Sequence, residues 1–161
     1  MAEQDTLNVK VEGSTPSWPT NFCMPNYEIL EHTADIRVKI KGKNLKDLFR
    51  NAGLAIFQIS TQKLATTDDK IKNLSIKQKA DNLDELFINW LNELLSLSAV
   101  KGLIFEDLKI GKINANSIEA VVSGSDIKNY KVNTEIKAAT YHELKIEKSK
   151  SAWQAEVIID V

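Results

Sequence analysis

Asn82-Leu83-Asp84-Glu85-Leu86-Phe87-Ile88-Asn89-Trp90-Leu91-Asn92-Glu93-Leu94-Leu95-Ser96-Leu97 is the stretch from which the rest of the chain is read. Leu83, Leu86, Phe87, Trp90, Leu91, Leu94, Leu95 and Leu97 recur at the spacing of one helix face and form the strongest apolar stripe in the sequence. Asn82 offers an N-cap oxygen, Glu85 stands at the capping-box position, and Asp84 adds negative charge to the first turn. Lys101-Gly102 supplies the stop. A stripe of Leu and Trp at this spacing reads as core rather than as a cofactor slot.

The same signals recur upstream. Asn44, with Asp47 three residues on, opens a helix predicted from Asn44 to about Ser60. Leu45, Leu48, Phe49, Ala52, Ala55, Ile56 and Ile59 form its apolar face. Gly53 inside that helix costs about 1 kcal/mol against Ala unless something packs close to it. Tyr27 to Leu30 reads as a strand. Ile36-Arg37-Val38-Lys39-Ile40-Lys41 alternates apolar and charged residues up to Gly42, as a strand with one wet face does. Ile71 to Ala80 reads as a strand with Leu74 and Ile76 inward.

Beyond Gly102 the pattern is β to the end. Leu103 to Ile113 holds one or two strands, and Ile118, Ala120 and Val122 alternate with polar positions. Gly124-Ser125-Asp126 reads as a turn. Thr134 to Lys137 and Tyr141 to Glu147 read as strand. Ser149-Lys150-Ser151 turns the chain into a last strand with Trp153, Ala155, Val157 and Ile159 inward. Strands clustered without βαβ alternation predict an α+β fold, with two helices packed on one face of a mixed, mostly antiparallel β-sheet.

Composition bounds the function. The chain has 161 residues, 43% hydrophobic and 27% charged, with a formal net charge of −1. That suits one soluble domain and gives no basic field to hold a nucleic-acid backbone. A lone cysteine, Cys23, excludes an intramolecular disulfide and fits a reducing compartment. No apolar run approaches the roughly 20 residues that span a bilayer, so the expectation is a cytoplasmic protein, or a nuclear one in a eukaryote, without a membrane partner. Residues 1–24 carry Pro16 and Pro19 and no sustained periodicity, and are read as an N-terminal extension to a domain over residues 25–161.

No nucleophile elbow, P-loop or dinucleotide fingerprint is present. The polar residues that draw notice are Glu31-His32-Thr33-Ala34-Asp35, between two strands, and Thr140-Tyr141-His142-Glu143. Asp35 is out of phase with Ile36, Val38 and Ile40, and Asp160 with Ala155, Val157 and Ile159, so both face away from the core. They read either as two solvated strand-end carboxylates or as half of an oxygen-rich cation site, with Val161's α-carboxylate one residue on. Such a set suits Ca²⁺ or Mg²⁺, with Mn²⁺ or Zn²⁺ as alternatives. The spacing that supports a His-rich Zn²⁺ site is missing. Lys137 is either a solvated strand lysine or a group that binds phosphate or neutralises nearby carboxylates.

Three motifs together resemble the archease family: Glu31-His32-Thr33-Ala34-Asp35-Ile36, then Glu135-Ile136-Lys137-Ala138-Ala139-Thr140-Tyr141-His142, then Val157-Ile158-Ile159-Asp160-Val161. The two helix starts, Leu45 to Phe49 and Leu83 to Leu95, are similar to the same family, and the resemblance covers Tyr27 to Val161. It implies an accessory protein rather than an enzyme. Such a protein activates an RtcB-type RNA ligase, which joins tRNA halves and other RNAs, by promoting its GTP-dependent guanylylation and multiple turnover. RNA would be met only through the ligase. The resemblance implies that Asp35, Asp160 and Val161 hold the metal, that Lys137 is functional, and that His32, Thr33 and His142 line the same pocket. The sequence departs from the family in having Gly124-Ser125 where Gly-Glu is frequent and in having no His over Tyr130 to Thr134, where one is often found ahead of the Ile-Lys-Ala motif. Two other readings stay open: a stand-alone metal-dependent phosphoesterase or nuclease, and a chaperone module without a metal role.

Overall fold

The computed structural model describes residues 26–32, 34–65 and 70–161. Nine strands and two helices run through them in the order β1 (Tyr27–His32), β2 (Ile36–Gly42), α1 (Leu45–Ser60), β3 (Thr61–Lys63), β4 (Lys72–Lys79), α2 (Leu83–Lys101), β5 (Leu103–Ile113), β6 (Ser117–Asp126), β7 (Tyr130–Val132), β8 (Ala138–Lys148) and β9 (Trp153–Asp160). The extension over residues 1–24 lies outside the described residues, as does Cys23.

Both helices begin as the sequence predicts. The Asn44 side chain accepts from the Asp47 amide at 2.9 Å, and the Asn82 side chain from the Glu85 amide at 2.9 Å. Glu85 reaches back to the Asp81 amide at 2.9 Å, one residue short of a reciprocal capping box. Leu86, Phe87, Trp90, Leu91 and Leu94 of α2 are fully buried, as are Leu48, Phe49 and Ala52 of α1. The two helices lock where α1 passes over Trp90, whose indole N–H donates to the Phe49 carbonyl at 2.8 Å. Phe49 and Phe87 meet edge to face there, with ring centroids 5.2 Å apart.

The α+β class is as expected, and every described strand pair is antiparallel. The arrangement differs from a single mixed sheet, because the strands divide between two sheets and a ribbon. One sheet has the order β1-β2-β9-β8, the other β4-β6-β5, and β3 pairs with β7. Helix α1 packs on β2 and β9 of the first sheet and on β5 of the second, while α2 packs on β8, β4 and β5. Both sheets therefore deliver their apolar faces to one core around the helix pair.

Two readings of the sequence are corrected. Gly124-Ser125-Asp126 is not a turn but the end of β6, and the chain turns one step later, over Ile127–Asn129. A Cβ at position 124 would lie 2.3 Å from the Ile104 carbonyl oxygen, so glycine is there for the close approach of β5. Thr134 to Lys137 is not strand. It leaves the short β7 with the Asn133 and Thr134 amides bonded to the Ser60 carbonyl, which draws it away from any ladder before β8 begins.

Gly53 has a packing reason as well. A Cβ on it would lie 2.4 Å from Leu108 Cδ1 and 2.8 Å from Leu94 Cδ1, both in fully buried side chains. Helix propensity alone predicts that Gly53→Ala stabilises by about 1 kcal/mol. Overpacking reverses the sign, so the variant should lose about 1 kcal/mol in urea unfolding.

Candidate metal centre

Strand β9 is central in its sheet, between β2 and β8. On one side Ile159 pairs with Ile36, and on the other Asp160 pairs with Ala138. The β9–β2 register runs without a break from Trp153 opposite Gly42 to Ile159 opposite Ile36. Its next step sets Asp160 opposite Asp35. Ala155, Val157 and Ile159 are buried, so the alternation turns Asp160, which is half-buried, to the outer face, and Asp35 is exposed beside it.

Lys137 joins this end of the sheet through its main chain. Its amide donates to the Asp160 carbonyl at 2.8 Å. The approach is fixed on both sides of the lysine. Ile136 is buried. Asn92 of α2 grips the outer edge of β8 at Ala139, accepting from its amide at 2.8 Å and donating to its carbonyl at 3.2 Å. That side-chain amide imitates a neighbouring strand and holds Ala138 in register with Asp160. Lys137 itself is exposed. Among the described residues, the Asp35 and Asp160 carboxylates and the Lys137 ammonium make no hydrogen bond or ion pair.

The third predicted group lies further along. Between Thr140, opposite Ile158, and Lys145, opposite Glu156, residues Tyr141 to Leu144 face Val157 alone. This wide bulge carries His142, 73% exposed, with its Nε2 3.2 Å from Glu143 Oε2. Glu143 sits at φ 54, the left-handed region that a residue with a side chain enters rarely. Arg37 of β2 reaches across β9 and donates to the other Glu143 oxygen. Ile158, the residue paired with both Arg37 and Thr140, is only 9% exposed although it points to the outer face.

The structure thus brings Asp35, Asp160 and the backbone of Lys137 together, and places His142 on Glu143 three register rows away. The side chain of His32 and all of Thr33 lie outside the described residues. Arg37 and Asn92 carry no motif in the sequence, and Glu143 stands there only as a neighbour of His142. The only early sign for Arg37 was its phase, since it shares the wet face of β2 with Asp35.

The donors near Asp160 are oxygens, as a hard cation requires. No group of three or more His, Cys, Asp or Glu gathers among the described residues. Two carboxylate side chains would therefore be completed by main-chain oxygen and water. Like charges directly opposite one another in a sheet are destabilising, and a divalent cation would relieve that repulsion. On the chemistry of its donors this end of the sheet fits Ca²⁺ or Mg²⁺ better than Zn²⁺.

A helix pair packed against two antiparallel sheets, with the last strand inserted beside β2, defines a small α+β domain of known type. The Archease protein family (MTH1598/TM1083) matches over residues 27–161, and the chain belongs to that family. An archease from Methanosarcina barkeri is 35% identical over 141 residues, covering 84% of this chain and 95% of its own. One from Pyrococcus furiosus is 31% identical over 145 residues, covering 86% of this chain and 100% of its own. Among solved structures, Methanobacterium thermoautotrophicum protein 1598 is similar with a TM-score of 0.64 and 25% identity, over 86% of this chain and 100% of that one. A Thermotoga maritima archease, described as a possible chaperone, is similar with a TM-score of 0.60 and 25% identity, over 83% of this chain and 96% of its own.

The Arg37 hydrogen bond and charge hold the Glu143 carboxyl below the usual carboxylate range, with smaller help from His142 and Lys145. A depressed folded-state pKa gives a contribution that is present above the unfolded value and lost as pH falls through the folded one. Carbon-detected NMR titration should therefore show Glu143 ionised through the ordinary glutamate range and protonating only below it. Arg37→Gln should move that midpoint back up.

Proposed function

We propose that this protein is a divalent-cation-binding accessory factor for an RtcB-type RNA ligase, promoting its GTP-dependent guanylylation and multiple turnover without itself catalysing ligation. The observation that carries the reading is the β9–β2 register, whose next step sets Asp160 opposite Asp35 with no cation among the described residues to neutralise them. Membership of the archease family supports it.

Asp35 and Asp160 would hold the ion, with an oxygen of Val161 as a further ligand. When bound, a hard divalent cation supplies a compact positive charge that offsets charge on phosphate oxygens. The remaining roles belong to the chain itself. Asn92 and Ile136 fix the backbone at Lys137, so the lysine leaves the sheet at the acidic end. Its ammonium is exposed there to meet a phosphate or the partner's surface.

Calorimetric titration with calcium and magnesium tests the first part. Asp35→Ala or Asp160→Ala should weaken binding by about tenfold or more, since affinity at such sites follows the number of charged ligands. Both variants should also lose stimulation of guanylylation when mixed with purified ligase and GTP. Stimulation unaffected by both would sink the metal reading. Hydrolysis of RNA by the protein alone would instead favour a phosphoesterase. Lys137→Met should reduce stimulation while leaving cation affinity within about twofold, the pattern of a residue facing the partner.

A further inference from the structure

The sheet β4-β6-β5 turns Ile76, Leu108, Ile118, Ala120 and Val122 into the core. The alternate residues form its outer face. Ser75 lies opposite Val121 and Val121 opposite Lys109; in the next row Lys77 lies opposite Glu119 and Glu119 opposite Lys112. All six are exposed. Lys109 and Lys112 are three residues apart, so strict alternation would send them to opposite faces. The register shift between Ile110 and Lys112 sets Gly111 out as a bulge. Ile110 and Ile113 therefore both point inward, and both lysines outward.

Acids cancel this charge only in part. Glu119 stands between Lys77 and Lys112 and offsets one lysine. Asp107, on the same face, is taken by Arg50 of α1 at 3.3 Å. Lys79 shares a shallow hollow with Asp81 and Glu85 at the start of α2, which leaves Lys77, Lys109 and Lys112 as the centre of the patch. These three make no hydrogen bond or ion pair among the described residues. The outer face of the first sheet is built otherwise. There Lys145, Glu156, Lys39 and Glu28 lie in one row across four strands, alternating in sign. The formal net charge of −1 averages over these two different faces.

The rest of the face decides the kind of partner. Protein interfaces are anchored by aromatic and arginine side chains and are depleted in lysine. This face offers lysines and no aromatic side chain. Ser75, Val121 and Ser123 keep its middle low, so a polymer can lie flat across it. Lysine charges beside serine hydroxyls are groups that contact phosphate and sugar. Without aromatic platforms no base would stack, so contact would be to the backbone and blind to sequence.

We propose that the outer face of β4-β6-β5 binds the phosphodiester backbone of RNA, with Lys77, Lys109 and Lys112 as its phosphate contacts. The source of the RNA rests on the accessory reading above: the strands that the ligase joins would also be held by its helper. The binding itself stands on the face alone.

Fluorescence anisotropy with a labelled single-stranded RNA of about 20 nucleotides, without ligase or divalent cation, tests it. The wild type should bind. Three phosphate contacts predict a log–log salt slope of about −2, or roughly twentyfold weaker binding at 200 mM salt than at 50 mM. A second RNA of unrelated sequence should bind within about twofold. Lys77→Gln, Lys109→Gln and Lys112→Gln together should weaken binding at low salt by at least about tenfold and flatten the slope. Lys39→Gln, Lys41→Gln and Lys145→Gln together, an equal loss of charge from the first sheet, should weaken it by less than about threefold. Amide resonances of Ser75, Lys77, Lys109 and Lys112 in the wild type should move on adding RNA while those of Lys39 and Lys145 stay, a readout independent of how the variants fold. Absence of RNA binding at low salt, or equal losses from the two triple variants, would overturn the proposal. So would displacement of the RNA by polyglutamate as readily as by unlabelled RNA, which would make an acidic protein the occupant. Stimulation of guanylylation is measured with no RNA present. Its absence beside intact RNA binding would overturn the accessory reading and leave the RNA face standing.

Discussion

The insertion of β9 between β2 and β8 is the constraint on which the candidate centre depends. Its register is set by hydrophobic burial: Ala155, Val157 and Ile159 enter the core opposite Ile40, Val38 and Ile36. A slip of one residue would turn Glu156 and Asp160 inward and those three outward, so the core tolerates no alternative. Asp160 is therefore placed opposite Asp35 by side chains that lie in the core. That is how two carboxylates can sit side by side without an ion pair to fix them. The repulsion between them is small beside the apolar area that the register buries.

The helix pair supports this end of the sheet from beneath. The α2 stripe anchors the core through Trp90 and Phe87, and a polar residue of the same helix, Asn92, reaches past it to the edge of β8. Core and centre are thus joined by one rigid element. The opposite face of the sheet answers with the Arg37–Glu143 contact, which ties β2 to β8 over the top of β9. The strand that carries Asp160 is held from both sides.

Much of this could be read before any coordinates. The two helices, their caps, the outward phase of Asp35 and Asp160, and the last strand all follow from local periodicity and capping chemistry, which a sequence displays directly. What could not be read has a common cause. The three-residue ribbon of β3 and β7 is too short for any period to register. Gly124-Ser125-Asp126 has turn composition, yet lies in a strand because the β5 backbone approaches it. Thr134 to Lys137 has strand composition, yet is diverted by Ser60. The bulge at Tyr141 to Leu144 interrupts what looks like continuous alternation. Each is decided by a neighbour distant in sequence, as is the pairing of Arg37 with Glu143.

The position of β9 also orders events in time. Ile36, Val38 and Ile40 are made early, but their partner strand arrives only after both helices and the whole β4-β6-β5 sheet have emerged from the ribosome. Closing so long a loop is entropically slow, whereas β5 and β6 pair across a short turn. The second sheet and its helices can assemble first, leaving the apolar face of β2 waiting. The acidic end of the first sheet is then the last part of the domain to form, and the first that local opening of β9 would dissolve.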